Sequence, residues 1–175
     1  LVTNNNRLAS KARLLRNHGI EKRNKVLKFG YVSRMDNLQA GILNLRLKKL
    51  KKIINLRRQN AKLYCKLLKN LKSINLPNEK RNEFNTYHTF VIQAKKRNYL
   101  KNYLEKKKIS TKIHYPYLIF EQKAFKDKFQ SMKLKNKFPV SESLSKKILT
   151  LPINQYITSH QIKKICKEII KFYKR

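Results

Sequence analysis

The sequence predicts an α/β fold in which a long amphipathic helix leads into a small α/β domain. Apolar side chains recur every three or four positions from Leu38 to Leu71, a spacing typical of a helix with one buried face. Farther along, two strand-like segments flank a helical pattern between Tyr87 and His114. A strand, a helix and a second strand in succession are typical of α/β domains.

The first element is a helix that ends near Asn17. Thr3 and the cluster at residues 4–6 supply N-cap side chains, and Gly19 is placed to end the helix because glycine tolerates a left-handed backbone. We expect a loop from there through Phe29 to Arg34.

The long helix is predicted over residues 36–71. Asp36 is followed three positions later by Gln39, which resembles a capping box. The pattern fits one helix or two that are joined at a bend. At 1.5 Å per residue, some 35 residues extend about 50 Å, which is long enough to connect two domains.

The remaining elements alternate between strands and helices. We predict a loop at 76–85, strands at 87–94, 109–114 and 148–153, helices at 96–107, 141–147 and 158–172, and a loop with short helical turns at 117–137. Thr158 and Gln161 form a second capping-box pattern at the start of the last helix.

The chain carries a formal charge of +35 over 175 residues. Such a charge ordinarily suggests nucleic acid as a partner. Lysine dominates the excess along the whole length, and Asn and Ile are abundant, so A/T-rich codons are our preferred explanation and nucleic acid binding is not expected. The competing hypothesis, a basic protein that binds nucleic acid backbones, predicts binding that falls steeply with salt and lacks sequence preference.

Composition and residue spacing exclude several classes of site. The cysteines, Cys65 and Cys166, lack a metal-ligand or redox spacing and are expected to be buried reduced thiols. The four histidines also lack metal-ligand spacing. No run approaches the roughly 18 apolar residues of a membrane span, so we expect a cytoplasmic protein without a membrane partner.

Residues 30–43, GYVSRMDNLQAGIL, resemble the G-x-N-S-R-[LM]-D-x-x-Q-A-A-I-L motif of the DegT/DnrJ/EryC1/StrS sugar aminotransferases. Two further segments agree in order and spacing. They are residues 1–19, which start with LVTNN and end with RNHG, and residues 113–125, which contain I-H-Y-P and Q-K-A-F. The resemblance spans the whole chain.

This resemblance implies an aspartate-aminotransferase-like fold, which is the fold type I class of pyridoxal-phosphate (PLP) enzymes. The implied activity is transfer of an amino group from an amino acid, with glutamate expected, to a nucleotide-linked keto-sugar for amino-sugar or polysaccharide biosynthesis. The full-length protein is expected to be a homodimer. The Schiff-base lysine is expected upstream of Leu1, so no catalytic residue is assigned in this chain, which we expect to be a C-terminal fragment that is not active alone.

The resemblance also implies roles for four residues. Ser33 and Arg34 would bind the cofactor phosphate of the partner subunit, whereas Val32 occupies the position at which the family usually has an asparagine that donates to that phosphate. His114 and Tyr115 match the family's H-Y-P segment, near the sugar-nucleotide. For Arg34, His114 and Tyr115, a purely structural role is the alternative to ligand binding.

The implied domain organisation has three parts. Residues 1–45 would end an incomplete PLP-binding domain, residues 36–71 would form the connecting helix, and residues 72–175 would form the small domain. We expect residues 1–45 to pack poorly in isolation and a compact core to form from about Leu76 onward. Val32, and Gly41 in place of the usual alanine, keep an inactive aminotransferase remnant as an alternative.

Overall fold

The computed structural model describes residues 2–23, 25–129 and 137–174. The chain divides into two compact units, Leu1–Lys49 and Leu50–Arg175, and the boundary falls within the long helix.

The first unit begins with helix α1, Asn6–Leu15. The side chain of Asn5 accepts a hydrogen bond from the backbone N–H of Leu8 at 3.1 Å, which confirms the predicted N-cap cluster. Gly19 has a left-handed backbone with φ of 72°, and its N–H donates to the carbonyl of Leu14 at 3.0 Å. The predicted helix stop is therefore confirmed.

An antiparallel hairpin follows where the sequence predicted only a loop. Its strands are β1, Ile20–Lys22, and β2, Lys25–Val26. Strand β1 has three residues and β2 has two, and most of their side chains are exposed. So short and exposed a pair leaves no alternation of apolar and polar residues in the sequence, which is why the pattern missed it.

Helix α2, Asn37–Leu68, is one helix of 32 residues. The side-chain oxygen of Gln39 accepts from the backbone N–H of Asp36 at 3.2 Å, which is one half of the predicted capping box. The helix ends three residues before the predicted position, since Lys69 and Asn70 form a turn.

The second unit contains a three-stranded antiparallel sheet in the order β3-β4-β5. The strands are β3, Ile74–Asn75; β4, Phe90–Ala94; and β5, Ile148–Leu151. The helices are α3, Arg97–Lys106; α4, Lys123–Lys128; α5, Pro139–Ser145; and α6, Ser159–Tyr173, with a 3-10 turn at Ile119–Glu121. The two-residue strand β3 was not predicted, because it is too short to show a period.

The strand predicted at 109–114 is wrong. Only Lys112 pairs with β5, through two backbone hydrogen bonds to Thr150 of 2.7 and 3.2 Å. The apolar residues of this segment, Ile109 and Ile113, pack against the core, so its β-branched pattern reflects packing and not a ladder of hydrogen bonds. The helical turns predicted within 117–137 are confirmed up to residue 129, and residues 130–136 lie outside the described residues.

The hydrophobic core belongs to the second unit. At its centre the rings of Tyr64 and Phe90, both fully buried, stack with centroids 4.9 Å apart. The Tyr64 hydroxyl donates to the carbonyl of Pro152 at 2.9 Å. The buried apolar side chains are Ala61, Tyr64, Leu68, Ile74, Tyr87, Phe90, Ile92, Ala94, Leu100, Leu104, Ile109, Leu149, Leu151, Ile162, Ile165, Cys166 and Ile169. The core thus begins at Ala61, earlier than the predicted Leu76, because the last turns of α2 contribute to it.

The first unit buries no apolar side chain among its described residues. Leu38, Ile42 and Leu45, which begin the apolar stripe of α2, are 76%, 50% and 63% exposed. The stripe is buried only in the second half of the helix.

An arginine of α2 binds the loop between β3 and β4 through hydrogen bonds. Arg58 donates to the two carboxylate oxygens of Glu79 at 2.7 and 3.1 Å, and its guanidinium lies 4.3 Å from the centre of the Phe84 ring. The Arg58 hydrogen bond, followed by one from the Asn85 N–H, lowers the pKa of Glu79.

Candidate functional site

The segment that carries the family-like motif runs extended beside the end of α1. The backbone carbonyl of Tyr31 accepts a hydrogen bond from the N–H of His18 at 3.0 Å. The N–H of Ser33 donates to the carbonyl of Arg16, also at 3.0 Å. Between these bonds, Asn17 and Val32 form an antiparallel bridge. The segment is therefore fixed by its backbone.

This arrangement requires a glycine at position 30. A Cβ on Gly30 would lie 2.7 Å from the carbonyl oxygen of Leu15 and would also meet the backbone nitrogen of Gly19. Ordinary carbon contacts are longer, so any side chain would push the segment away from α1. Glycine allows the motif to start in contact with the helix end.

Ser33 and Arg34 lie on opposite faces of this extended segment. Ser33 lines a cleft of about 860 Å³ together with Tyr31, Arg13 and Arg16. The guanidinium of Arg34 instead reaches the side-chain oxygen of Asn17 at 3.5 Å, a long and weak hydrogen bond. Successive side chains of an extended chain alternate between faces, so the structure does not bring these two predicted residues together.

Val32, at the position of the usual asparagine, has a side chain that is 72% exposed. The two hydrogen bonds beside the bridge belong to Tyr31 and Ser33, so Val32 is in the non-hydrogen-bonded position and its N–H points away from α1. Within the described ranges this N–H makes no hydrogen bond. It is a free donor at the position where the asparagine amide is missing.

The other predicted pair lies in the second unit. The Nδ1 atom of His114 is 2.8 Å from the hydroxyl oxygen of Thr150 on β5. His114 is half-buried, and its ring meets that of Tyr115 edge-on with a centroid separation of 6.3 Å. The structure therefore holds the two residues as neighbours, with the imidazole anchored and the phenol ring beside it.

Tyr115 has an unusual backbone for its residue type. Its φ is 59°, in the left-handed region, and it precedes Pro116, which disfavours helical backbones in the residue before it. Its side chain is 83% exposed. Such strain costs on the order of 1–3 kcal/mol and is often found at functional sites.

Sequence reasoning missed three residues beside these positions. Arg13 and Arg16 share the cleft with Ser33, and their three-residue spacing at the C-terminal end of α1, where Arg16 is the C-cap, could have indicated a common face. Thr150 contacts His114, and the signal was a polar residue in the apolar strand I-L-T-L.

The described residues show neither a group of metal ligands nor a helix suited to cross a membrane. In these ranges no three side chains of His, Cys, Asp or Glu are grouped as metal ligands. None of the described helices combines the length and apolar character that a membrane crossing requires. Both cysteines are free thiols; Cys166 is buried, whereas Cys65 is only half-buried, contrary to the expectation for it.

A comparison with protein-family models tests the family resemblance of the motif residues. Residues 1–170 match the model of the DegT/DnrJ/EryC1/StrS aminotransferase family. The chain belongs to this family. The aminotransferases of this family depend on pyridoxal phosphate, and the predicted family resemblance is confirmed.

Curated relatives of this aminotransferase-family chain act on sugar nucleotides according to their names. The chain is 31% identical to a dTDP-3-amino-3,6-dideoxy-alpha-D-galactopyranose transaminase of Aneurinibacillus thermoaerophilus, over 98% of this chain and 46% of that protein. It is 30% identical to a UDP-2-acetamido-2-deoxy-3-oxo-D-glucuronate aminotransferase of Pseudomonas aeruginosa, over 95% of this chain and 44% of that protein. The chain spans about half the length of the curated relatives that it matches.

Solved structures of sugar aminotransferases share the fold. DesV of Streptomyces venezuelae, in complex with a ketimine intermediate, has a TM-score of 0.90 and 27% identity over 99% of this chain and 46% of its own. NtdA of Bacillus subtilis, with the bound cofactor PMP, has a TM-score of 0.85 and 28% identity over 99% of this chain and 41% of its own. The predicted fold class is confirmed, since these neighbours are fold type I PLP enzymes and the chain corresponds to about half of them.

Proposed function

We propose that the protein containing this chain transfers an amino group from an amino acid, glutamate being the expected donor, to a nucleotide-linked keto-sugar with PLP as cofactor. The observation that carries the proposal is the family match over residues 1–170. The names of the relatives, which are sugar-nucleotide transaminases, support the substrate class. Amino-sugar or polysaccharide biosynthesis in the cytoplasm is the context that we propose.

The proposed organisation places this chain in a homodimer. Residues 1–45 would belong to the PLP-binding domain, residues 36–71 would connect the domains, and residues 72–175 would form the small domain. The exposed apolar residues Leu38, Ile42 and Leu45 support this view, since a helix stripe of this kind is normally covered by other elements. We assign the Schiff-base lysine to no residue of this chain.

The residues present fit a phosphate group. The N–H of Val32 has no hydrogen-bond partner in the described ranges, and Arg34 has only the weak bond to Asn17. The two residues are two positions apart in the extended segment, and a guanidinium and a backbone N–H are suitable donors to a phosphate. Ser33 lines a cleft with Arg13 and Arg16 and would contact the phosphate from that cleft.

In the proposed mechanism this chain binds and orients the reactants. Arg34 and Ser33, the two predicted contacts, would hold the cofactor phosphate together with the backbone N–H of Val32. His114 and Tyr115 would contact the sugar-nucleotide, the imidazole through a ring nitrogen and the phenol through its ring or hydroxyl. When bound, PLP supplies the electron sink for transfer of the amino group.

Cofactor retention tests the proposal in the longer protein. Arg34→Ala is expected to weaken retention by about 1.5–3 kcal/mol, or roughly 10–150-fold, because it removes a charged donor. Arg81→Ala, at an exposed arginine in the loop before β4, should leave retention unchanged. The measurement is the visible absorbance of bound cofactor during dialysis, and equal loss in the two variants would contradict a role for Arg34.

Val32→Asn is expected to strengthen cofactor binding. It supplies the amide that the family usually has, so cofactor should dissociate more slowly than from the unmodified protein.

Amino transfer from glutamate to a nucleotide-linked keto-sugar, followed by mass spectrometry, tests the activity itself. Absence of both bound cofactor and transfer would overturn the proposal and favour an inactive family member, for which Val32 is the supporting observation.

A further inference from the structure

We propose that Thr150 is a positioning residue for His114, an inference that rests on the proposed substrate contact of His114. Thr150 is 8% exposed and is the only buried polar or charged residue in the described ranges. A hydroxyl in an apolar strand costs free energy unless it is hydrogen-bonded. Its described side-chain partner is Nδ1 of His114, at 2.8 Å.

Thr150 positions His114 through both its backbone and its side chain. Its backbone N–H donates to the carbonyl of Lys112 at 2.7 Å and its carbonyl accepts from the Lys112 N–H at 3.2 Å. These bonds align the chain that leads to His114, and the hydroxyl then contacts the ring. The same residue therefore sets both the path of the backbone and the orientation of the imidazole.

The contact leaves one ring nitrogen for a ligand. Nδ1 is engaged by the hydroxyl, which can donate or accept, whereas Nε2 has no hydrogen bond within the described part of the chain. In histidine sites, a partner on one nitrogen orients the ring and determines what the other nitrogen presents. Nε2 is thus the atom offered to an oxygen of the sugar-nucleotide, from a hydroxyl or a phosphate.

A second threonine provides a matched control. Thr111 is adjacent to Lys112, and its hydroxyl oxygen is buried without a hydrogen-bond partner in the described ranges. Thr111→Val therefore removes a hydroxyl from the same segment without removing a hydrogen bond. Thr150→Val removes a hydroxyl that makes one, and Thr150→Ser retains it.

The experiment uses the 175-residue chain with ¹⁵N-labelled histidine. The ring nitrogen shifts of His114, assigned with His114→Gln, report the tautomer populations at alkaline pH. The unmodified chain, Thr150→Ser and Thr111→Val should give the same pair of ring nitrogen shifts. Thr150→Val should change these shifts, that of Nδ1 above all, because it removes the hydroxyl that contacts this atom.

Two results would overturn the inference. One is a Thr150→Val spectrum identical to that of the unmodified chain, and the other is an equal change in Thr111→Val. If Thr150→Val does not fold, as its amide spectrum will show, the unmodified chain provides the second measurement. A slowly exchanging Thr150 hydroxyl proton with a nuclear Overhauser effect to the His114 ring is expected, and its absence would contradict the contact.

The ring spectrum tests the Thr150 contact separately from the proposed function, so either one can be contradicted while the other holds. The ring spectrum needs neither cofactor nor substrate. In the longer protein, His114→Gln should raise KM for the sugar-nucleotide; an unchanged KM would remove the proposed substrate contact and leave the Thr150 contact standing. If both hold, Thr150→Val should raise KM about threefold to tenfold, the range expected for loss of about one hydrogen bond, and Thr150→Ser should restore it.

Discussion

The backbone of Gly30 lies directly against that of Gly19. A Cβ on Gly30 would meet the nitrogen of Gly19 and would lie 2.7 Å from the carbonyl carbon of His18. This contact joins the start of the family motif to the end of α1. The position of the motif therefore depends on a close approach of two glycines that are eleven residues apart in the chain.

Gly30→Ala is expected to displace the motif from α1. Overpacking of this kind typically costs about 1–3 kcal/mol. The amides of His18 and Ser33, which donate across the contact, should exchange with deuterium faster than in the unmodified chain. Unchanged protection of both amides would show that the segment accommodates a side chain.

Gly41→Ala is the matched substitution without a steric contact. A Cβ on Gly41, within α2, meets no atom within 4 Å. Alanine favours a helix over glycine by about 0.8–1 kcal/mol, so the helical signal should persist to higher urea concentration. A loss of stability would be inconsistent with the open surroundings of this residue.

Glu79→Gln should lower stability in a pH-dependent way. The hydrogen bond from Arg58 lowers the pKa of Glu79 in the folded state, so the unfolded state binds the proton more readily. The stabilisation is fully present above the unfolded pKa and is lost as the pH falls through the folded pKa. Urea unfolding at several pH values should show the variant less stable at neutral pH and converging with the unmodified chain in acid.

Arg58→Met tests the same pair from the other side, because Arg58 donates to both Glu79 oxygens. Once Arg58 is replaced, adding Glu79→Gln should change the pH dependence little. A full additional effect of Glu79→Gln in the double variant would show that another group stabilises the carboxylate.

The two cysteines should differ in reactivity. Burial raises the pKa of the Cys166 thiol to about 12, and burial of the half-exposed Cys65 raises its pKa as well. Because the thiolate is the nucleophile, iodoacetamide at neutral pH should modify Cys65 first and Cys166 very slowly. Mass spectrometry of the folded chain measures the order, and similar rates in denaturant provide the control.

Matched isoleucine-to-valine changes should separate the two units. Ile92 is fully buried, so Ile92→Val is expected to cost about 0.5–1.5 kcal/mol. Ile42 is 50% exposed, and Ile42→Val should stay within about 0.5 kcal/mol. Urea midpoints measure the difference, and equal losses would indicate that Ile42 is buried in solution.

Local sequence signals predicted the helices well. The reciprocal bonds between Thr158 and Gln161, at 2.9 and 3.2 Å, confirm the capping box that was read from spacing alone. The short strands β1, β2 and β3 escaped prediction because two or three residues cannot show a period. The β-branched residues around Lys112 produced the opposite error, since apolar packing imitates a strand.

By itself the sequence determined the long helix and the helix caps, because each depends on neighbours within a few positions, and it determined the family through motifs along the whole chain. Only the tertiary structure decided that Ser33 and Arg34 face opposite ways, and that Thr150 reaches His114 from 36 residues away. It also decided which half of the α2 stripe is buried. Helical periodicity shows that a face is apolar, but the elements that cover it come from distant parts of the chain.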